Sequence, residues 1–336
     1  MLRFIIRRLF QMVGVVLVLS FLLFMWLRSL PGGPVSAILG ERATASRRQA
    51  LEAALGLDQP IFVQYLKFLQ RAIQGEFGIS TQVLPGTDAL EIFLMRLPAT
   101  IELSFFAMLI AIPLAIPLGY FAARRRGSAL DNTSIVVSLL GVAVPVFFTA
   151  FLLKYFFAIK WPIFPVSGRQ SGDIDATRVT GFFVLDGILT REWDAAWDAL
   201  MHLALPAIAL ATIPFAVIFR ITRASVLDVL DEDYVRTAEA KGLTLRVIRS
   251  RHVLRNAMLP VTTIIGLQVG ALLGGAVLTE TVFSFPGIGQ ALAEAFRDKD
   301  YAVLQVLIMA AAAIFVLVNL LVDISYALID PRVRAR

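Results

Sequence analysis

Six stretches of about twenty residues with little or no charge dominate this sequence and restrict what it can become. A helix rising about 1.5 Å per residue needs about 20 apolar residues to cross a hydrocarbon core of about 30 Å. The windows Leu9 to Leu27, Ile135 to Leu153, Val261 to Thr279 and Tyr301 to Val322 are uncharged, Leu103 to Ala123 follows Glu102, and Leu200 to Phe219 carries only His202. A charge at mid-helix costs about 2.5–3.5 kcal/mol on insertion, so six such windows in one chain mark six spans. The expected fold is an all-α polytopic membrane protein. A single soluble core is excluded, because a 300-residue globule still leaves about a quarter of its unfolded surface wet, whereas here 58% of residues are hydrophobic and 17% charged. The absence of cysteine excludes disulfide scaffolds and thiol redox chemistry.

The first window follows Arg3, Arg7 and Arg8, as a secretory leader would. Its apolar run exceeds the roughly 7–15 residues of a leader's core, and Arg28-Ser29-Leu30-Pro31 lacks a small-x-small cleavage site, so it reads as a retained helix. Six crossings place both termini on one side. Seventeen of the 31 Lys and Arg residues fall in Met1 to Arg8, Phe121 to Asp131, Arg220 to Leu259 and Ile329 to Arg336, which makes that side cytoplasmic by the positive-inside rule. Topology thus accounts for the pI near 9.9, and no nucleic-acid partner is implied.

The organisation expected is a cytoplasmic N-terminus and first span over residues 1–30, an extracytoplasmic helical cap over 31–97, and a core over 98–330 that ends in a cytoplasmic tail, 331–336. Within the cap, Ser46 to Leu55 reads as a helix, and Phe62, Tyr65, Leu66, Leu69 and Ile73 recur at helical spacing after the break Gly56 to Pro60. The cap either packs on the bundle or offers a docking or substrate-guiding surface. The outward loop 160–198 contains Ser167-Gly168-Arg169-Gln170-Ser171-Gly172-Asp173. Asp173 and Asp175 are far short of a calcium loop and read as solvated charges.

The inward segment 225–259 carries the most information. Leu227, Leu230, Tyr234 and Ala238 follow the stripe of an amphipathic helix, Gly242 interrupts as a helix-terminal glycine, and Leu245, Ile248 and His252 share a second helical side before Pro260. The acids Asp228, Asp231, Glu232, Asp233 and Glu239 would be repelled by anionic lipid, so this helix, glycine, helix element is expected to meet a protein.

Catalytic machinery is not evident. No Gly-Lys dipeptide occurs, so no P-loop is present, and two histidines on opposite sides of the bilayer build neither a metal cluster nor a triad. Glu102, Lys154, Glu280 and Asp323 fall near span ends instead of deep in the bilayer, where proton-driven carriers place their acids. The expected chain is a passage without its own energy source, neither an enzyme nor a cofactor binder. Gly266, Gly270 and Gly274 form a double G-x-x-x-G that permits close helix approach, within this chain or to a second subunit. Ser138, Thr149, Gln268 and Asn319 are candidates for lining a wet path, though each side chain also suits a packing hydrogen bond.

The stretches Leu30-Pro31-Gly32-Gly33-Pro34, Gly75-Glu76-Phe77-Gly78-Ile79-Ser80, Arg96-Leu97-Pro98-Ala99-Thr100, Glu280 to Gly289 and Asp330-Pro331-Arg332-Val333-Arg334 resemble the permease subunit of dipeptide and oligopeptide ABC importers, of the B type in the B plus C pair. The resemblance implies six transmembrane helices in a type I importer fold with extra extracytoplasmic helices. It also implies a homologous permease partner, two ATPase subunits or domains that bind ATP and Mg, an extracytoplasmic peptide-binding protein, a peptide substrate and a place in the bacterial inner membrane. Nickel, glutathione and other small solutes are served by similar permeases, and a carrier driven by an ion gradient is a further alternative. By position, Arg236-Thr237-Ala238 takes the EAA triplet of the family's ATPase-docking loop, with Arg236 where the general motif has glutamate, and Gly242 takes its glycine. The implied coupling surface is Asp233, Tyr234, Arg236, Thr237, Ala238, Glu239, Ala240, Lys241, Gly242 and Leu243.

Overall fold

The computed structural model describes residues 2–29, 44–54 and 56–329, together with Val35 and Leu39. Among them the chain is helical, with one isolated antiparallel bridge between Ile79 and Asp88. The helices are α1 (Leu2–Ser29), α2 (Ala45–Ala54), α3 (Ile61–Gln74), α4 (Ala89–Arg124), α5 (Ala129–Ala143), α6 (Val146–Leu153), α7 (Phe183–Leu189), α8 (Trp193–Leu230), α9 (Asp233–Ala240), α10 (Leu245–Val247), α11 (Arg255–Gly275), α12 (Val277–Phe283), α13 (Ile288–Arg297) and α14 (Tyr301–Ile329). π-helical turns extend α6 through Lys154–Lys160 and join α10 to α11 through Ile248–Leu254. Five helices are long and apolar enough to span a membrane, and α5 with the extended α6 makes a sixth if the pair is one span.

That pair departs from expectation. The uncharged window Ile135 to Leu153 is not one straight helix, because α5 and α6 meet at a bend of 100°. Pro145, with φ −59° and an extended ψ of 136°, starts α6 as its N-cap, and Val144 before it is also extended. A proline disfavours helical backbone in the residue before it, so an apolar run is broken without any polar residue to announce it.

At the centre α4 packs along α8. Buried Ala99, Ala107, Ala111, Ala115 and Ala122 of α4 face a core that includes Ala207, Ala209 and Ala211 of α8. A Cβ on Gly119 would stand 2.8 Å from the Phe219 carbonyl oxygen, so this crossing needs glycine. Small residues let helix backbones approach where lipid offers no hydrophobic drive to association. Two-thirds (67%) of the apolar window of α8 is buried, against 17% for α1, which places α8 inside the bundle and α1 at its margin.

Several expected boundaries fall inside helices. The division at 97/98 lies within α4, where Pro98 is tolerated and its ring packs 3.1 Å from the Cβ direction of Gly181. The loop 160–198 ends after α8 has begun, and the segment 225–259 begins before α8 has ended. The two cap helices match their expected positions within a residue or so. In α3, however, only part of the apolar stripe faces the protein. Tyr65 packs on α1, where its hydroxyl donates to the Leu17 carbonyl at 3.1 Å and lies 2.8 Å from the Ser20 hydroxyl, while Phe62, Leu66 and Ile73 stay exposed. The tail 331–336 lies outside the described residues.

Candidate functional site

The basic end of the bundle gathers the C-termini of α4 and α8, all of α9 and the start of α11. Ala123, Val226, Val235, Ala238, Ile248, Val253 and Ala257 form one buried cluster there, and it seats α9. Asp131 is clamped beneath it by Arg223, with Nε to Oδ1 at 2.6 Å and Nη2 to Oδ2 at 2.9 Å, and it also accepts from the Gly127 amide. That ion pair ties the start of α5 to the last turns of α8.

α9 shows two inner residues, Val235 and Ala238, and turns the rest outward. Of the ten expected coupling residues only Ala238 is buried, while Asp233, Tyr234, Arg236, Thr237, Glu239, Ala240, Lys241, Gly242 and Leu243 are exposed. Gly242 ends the helix with a φ of +73°; its amide donates to the Glu239 carbonyl and the Leu243 amide to Ala238. These are the paired bonds of a Schellman turn, which places its glycine in the left-handed region. A Cβ at Gly242 would meet nothing within 4 Å, so backbone conformation, not space, requires glycine here.

The expected stripe is corrected in two respects. Leu227 and Leu230 belong to the end of α8, and the chain breaks at Asp231 and Glu232 before Tyr234 and Ala238. Tyr234 is 40% exposed, and its hydroxyl accepts from Asn256 Nδ2 at 3.1 Å, which bridges α9 to α11. On the far side of Gly242, Leu245 is exposed, whereas Ile248, Val253 and Ala257 are the inward residues. The π-helical turn shifts the register between them, so a 3.6-residue period cannot carry through.

The pathway candidates are not brought together. Ser138 is fully buried and donates to the Ile135 carbonyl of its own helix, while Thr149, Gln268 and Asn319 are half-buried on three other helices. Among the described residues no hydrogen bond joins any two of the four. Asn319 borders a cavity of about 620 Å³ between α1 and α14. A Cβ added to Gly270 would stand 3.5 Å from Phe315 and Val318 of α14, an ordinary contact distance, so this glycine faces α14 of the same chain. Gly266 is half-buried one turn earlier, and the surroundings of Gly274 lie outside the described residues.

Sequence reasoning missed the construction at the opposite end. Glu102, 4% exposed, accepts from Arg169 Nη2 at 2.5 Å and from the amides of Phe183 and Val184, so a loop arginine is buried against α4. The Arg169 guanidinium also stacks 3.8 Å from the Phe183 ring centre. Glu280 is fully buried and accepts from the Thr100 hydroxyl at 2.7 Å and the Gln290 amide at 2.9 Å. Burial pushes its carboxyl above the usual range, against the pull of those donors. A Cβ on Gly287 would lie 2.4 Å from that carboxylate, which explains a glycine after Pro286. Asp300 collects the Ser80 hydroxyl at 2.6 Å and the amides of Thr81, Gln82 and Val83. Burial raises Asp186 too, but the Thr180 hydroxyl and neighbouring amides outweigh it and leave the carboxyl below its ordinary value.

Comparison with known proteins agrees with this architecture. The family described as "Binding-protein-dependent transport system inner membrane component" matches residues 115–335, and its N-terminal companion matches residues 1–104. The chain belongs to this family. It is therefore a multi-pass inner-membrane component of a transport system that includes a binding protein and further subunits. It is 44% identical over 338 residues to the dipeptide transport system permease protein DppB of Escherichia coli K12, with 99% of each chain covered. It is 45% identical over 336 residues to the di/tripeptide transport system permease protein DppB of Pseudomonas aeruginosa UCBPP-PA14, again over 99% of each. A dipeptide permease of Alkalihalophilus pseudofirmus is 41% identical over 99% of this chain and 100% of its own.

Proposed function

We propose that this chain is one permease of an ATP-driven importer of dipeptides and short oligopeptides. The observation that carries the reading is identity of 44–45% along 99% of the chain to permeases named for dipeptide and di/tripeptide transport. In this reading a homologous permease completes the translocation pathway, and an extracytoplasmic peptide-binding protein delivers the substrate. Two ATPase subunits or domains bind ATP and Mg and supply the energy, and this chain needs no nucleotide site of its own. The termini and α9 face the cytoplasm.

The ATPases dock on the exposed side of α9 and on Gly242 and Leu243. The geometry supports this: α9 presents Tyr234, Arg236 and Lys241 outward while Val235 and Ala238 hold it to the ends of α4, α8 and α11. Arg236 stands in the triplet where an acid is usual, and its guanidinium is 3.7 Å from Asp233, exposed and free to exchange that partner for one across an interface. ATPase closure then displaces α9, and the rigid seat beneath it passes the displacement to the spanning helices.

The test is reconstitution of the assembled complex in vesicles with peptide-binding protein outside and ATP at the ATPases. Uptake of labelled dipeptide that requires ATP and stops when the ATPases are omitted is the expected result. Uptake by this chain alone under an ion gradient, or stimulation by nickel or glutathione but by no peptide, sinks the reading.

A further inference from the structure

Between the last turn of α1 and the polar side of α3 lies a recess of about 400 Å³, lined by Arg28, Gln59, Gln64, Lys67, Arg71 and Gln74 among others, with no carboxylate in its wall among the described residues. Arg28 and Arg71 also line an adjoining recess of about 500 Å³ with Phe68 and Tyr301, where Glu76 and Asp300 stand in the wall without pairing with either arginine, Asp300 being held by the Ser80 hydroxyl and the amides of residues 81–83. Among the described residues neither guanidinium forms an ion pair. Like charges converging without an anion are unfavourable unless a ligand completes them, and planar guanidinium forks match phosphate geometry. Arg28 is held in place by its own stack, 4.6 Å above the Phe24 ring.

A second observation narrows the ligand. Gln64 is 8% exposed, and its Nε2 donates to the carbonyls of Leu57 and Gln59 at 2.9 and 2.6 Å. The amide oxygens of both Gln64 and Gln59 are buried and accept no hydrogen bond. A buried acceptor without a donor is costly, and here two stand in the same wall as three cations. The complement is a group that carries a phosphate and, close to it, an ammonium.

The level of the recess decides the class of molecule. Arg28 closes the helix that spans the membrane, and α3 beside it exposes Phe62, Leu66 and Ile73, at 71%, 64% and 86%, on a side away from its cationic one. An amphipathic helix with such a face lies at the boundary between headgroups and acyl chains. We propose that this recess binds the headgroup of an amino-bearing glycerophospholipid, with the phosphate on Arg28 and Arg71 and the ammonium on the amide oxygens of Gln59 and Gln64. The site is independent of what the chain transports.

The experiment uses the full chain in its complex, extracted from vesicles of phosphatidylethanolamine and phosphatidylglycerol in equal parts and washed with detergent, with retained lipid counted by native mass spectrometry. Wild type should retain phosphatidylethanolamine, and Arg28→Gln with Arg71→Gln should retain at least tenfold less. Gln64→Leu should keep lipid but lose the preference for ethanolamine over glycerol. In case a variant does not fold, a photoreactive phosphatidylethanolamine should label residues 61–74 of the wild type. Equal retention by the charge variant, displacement of the lipid by millimolar inorganic phosphate or by a dipeptide, or labelling that spares α3 would each overturn the assignment.

Discussion

Where loops meet helices at the end of the bundle opposite α9, a carboxylate is buried at each junction: Glu102 under the 160–198 loop, Glu280 under the α12–α13 turn, Asp300 under the turn of residues 80–83. At the basic end Asp131 and Arg223 tie α5 to α8 in a similar way, but α9 itself rests on Val235 and Ala238, and apart from the Tyr234 hydroxyl, which accepts from Asn256, its polar side chains are exposed. The contrast follows from what each end must do. Buried charged hydrogen bonds admit one geometry and are expensive to break, which suits a fixed frame. A small apolar seat holds a helix by area and tolerates small displacement, and it leaves the polar side chains free for a partner.

The comparison can be broken most severely at Arg169. Arg169→Met removes the partner of a buried Glu102 and should cost about 3–5 kcal/mol, read as a lower Tm of the purified complex and faster proteolysis of the 160–198 loop. Glu280→Ala should follow at about 1–3 kcal/mol, because it strands the Thr100 hydroxyl and the Gln290 amide. Glu280→Gln sharpens that result through pH. Burial raises the folded carboxyl, so its contribution is full below the ordinary value of 4.5 and is lost as pH rises through the folded value. The stability of wild type relative to Glu280→Gln should therefore fall from acid toward neutral pH; a flat difference would show that Glu280 titrates as an ordinary glutamate.

Smaller effects are expected at the other end, and on coupling more than on stability. Gly242→Val forces a β-branched residue into left-handed backbone at about 1–2 kcal/mol and should reorient the turn. Peptide uptake should then fall well below ATP hydrolysis in the reconstituted complex, and normal uptake would contradict the coupling role. Tyr234→Phe loses one exposed hydrogen bond to Asn256 and should change Tm by no more than about 0.5–1 kcal/mol allows.

Much of the fold was legible because the bilayer enforces it. An uncharged run of about twenty residues has few other uses, so five windows emerged as long helices and the cap helices appeared at their predicted places. What escaped was direction. In α3 the apolar residues do not all share one inner face: Phe62, Leu66 and Ile73 look outward while Tyr65 and Phe68 look in, so the apolar stripe alone does not say which side chains pack. The bend at Val144 and Pro145 escaped because the residues around it are as apolar as those of a straight span. At the basic end the turn at Gly242 was readable from one glycine, whereas the inner face was not, since a π-helical turn altered the period after it. The buried carboxylates escaped for a different reason: Glu102 and Arg169 lie 67 residues apart, and only the folded chain brings them together.

α8 links these two ends without interruption. Its 38 residues make a rod about 57 Å long at 1.5 Å per residue, longer than the hydrocarbon layer and reaching from the 160–198 loop to within two residues of α9. A tilt of about 10° about its midpoint would swing each tip by about 5 Å in opposite directions. Pro206 and Pro214, both buried within it, each remove one backbone rung, so the lever has two places at which it can flex.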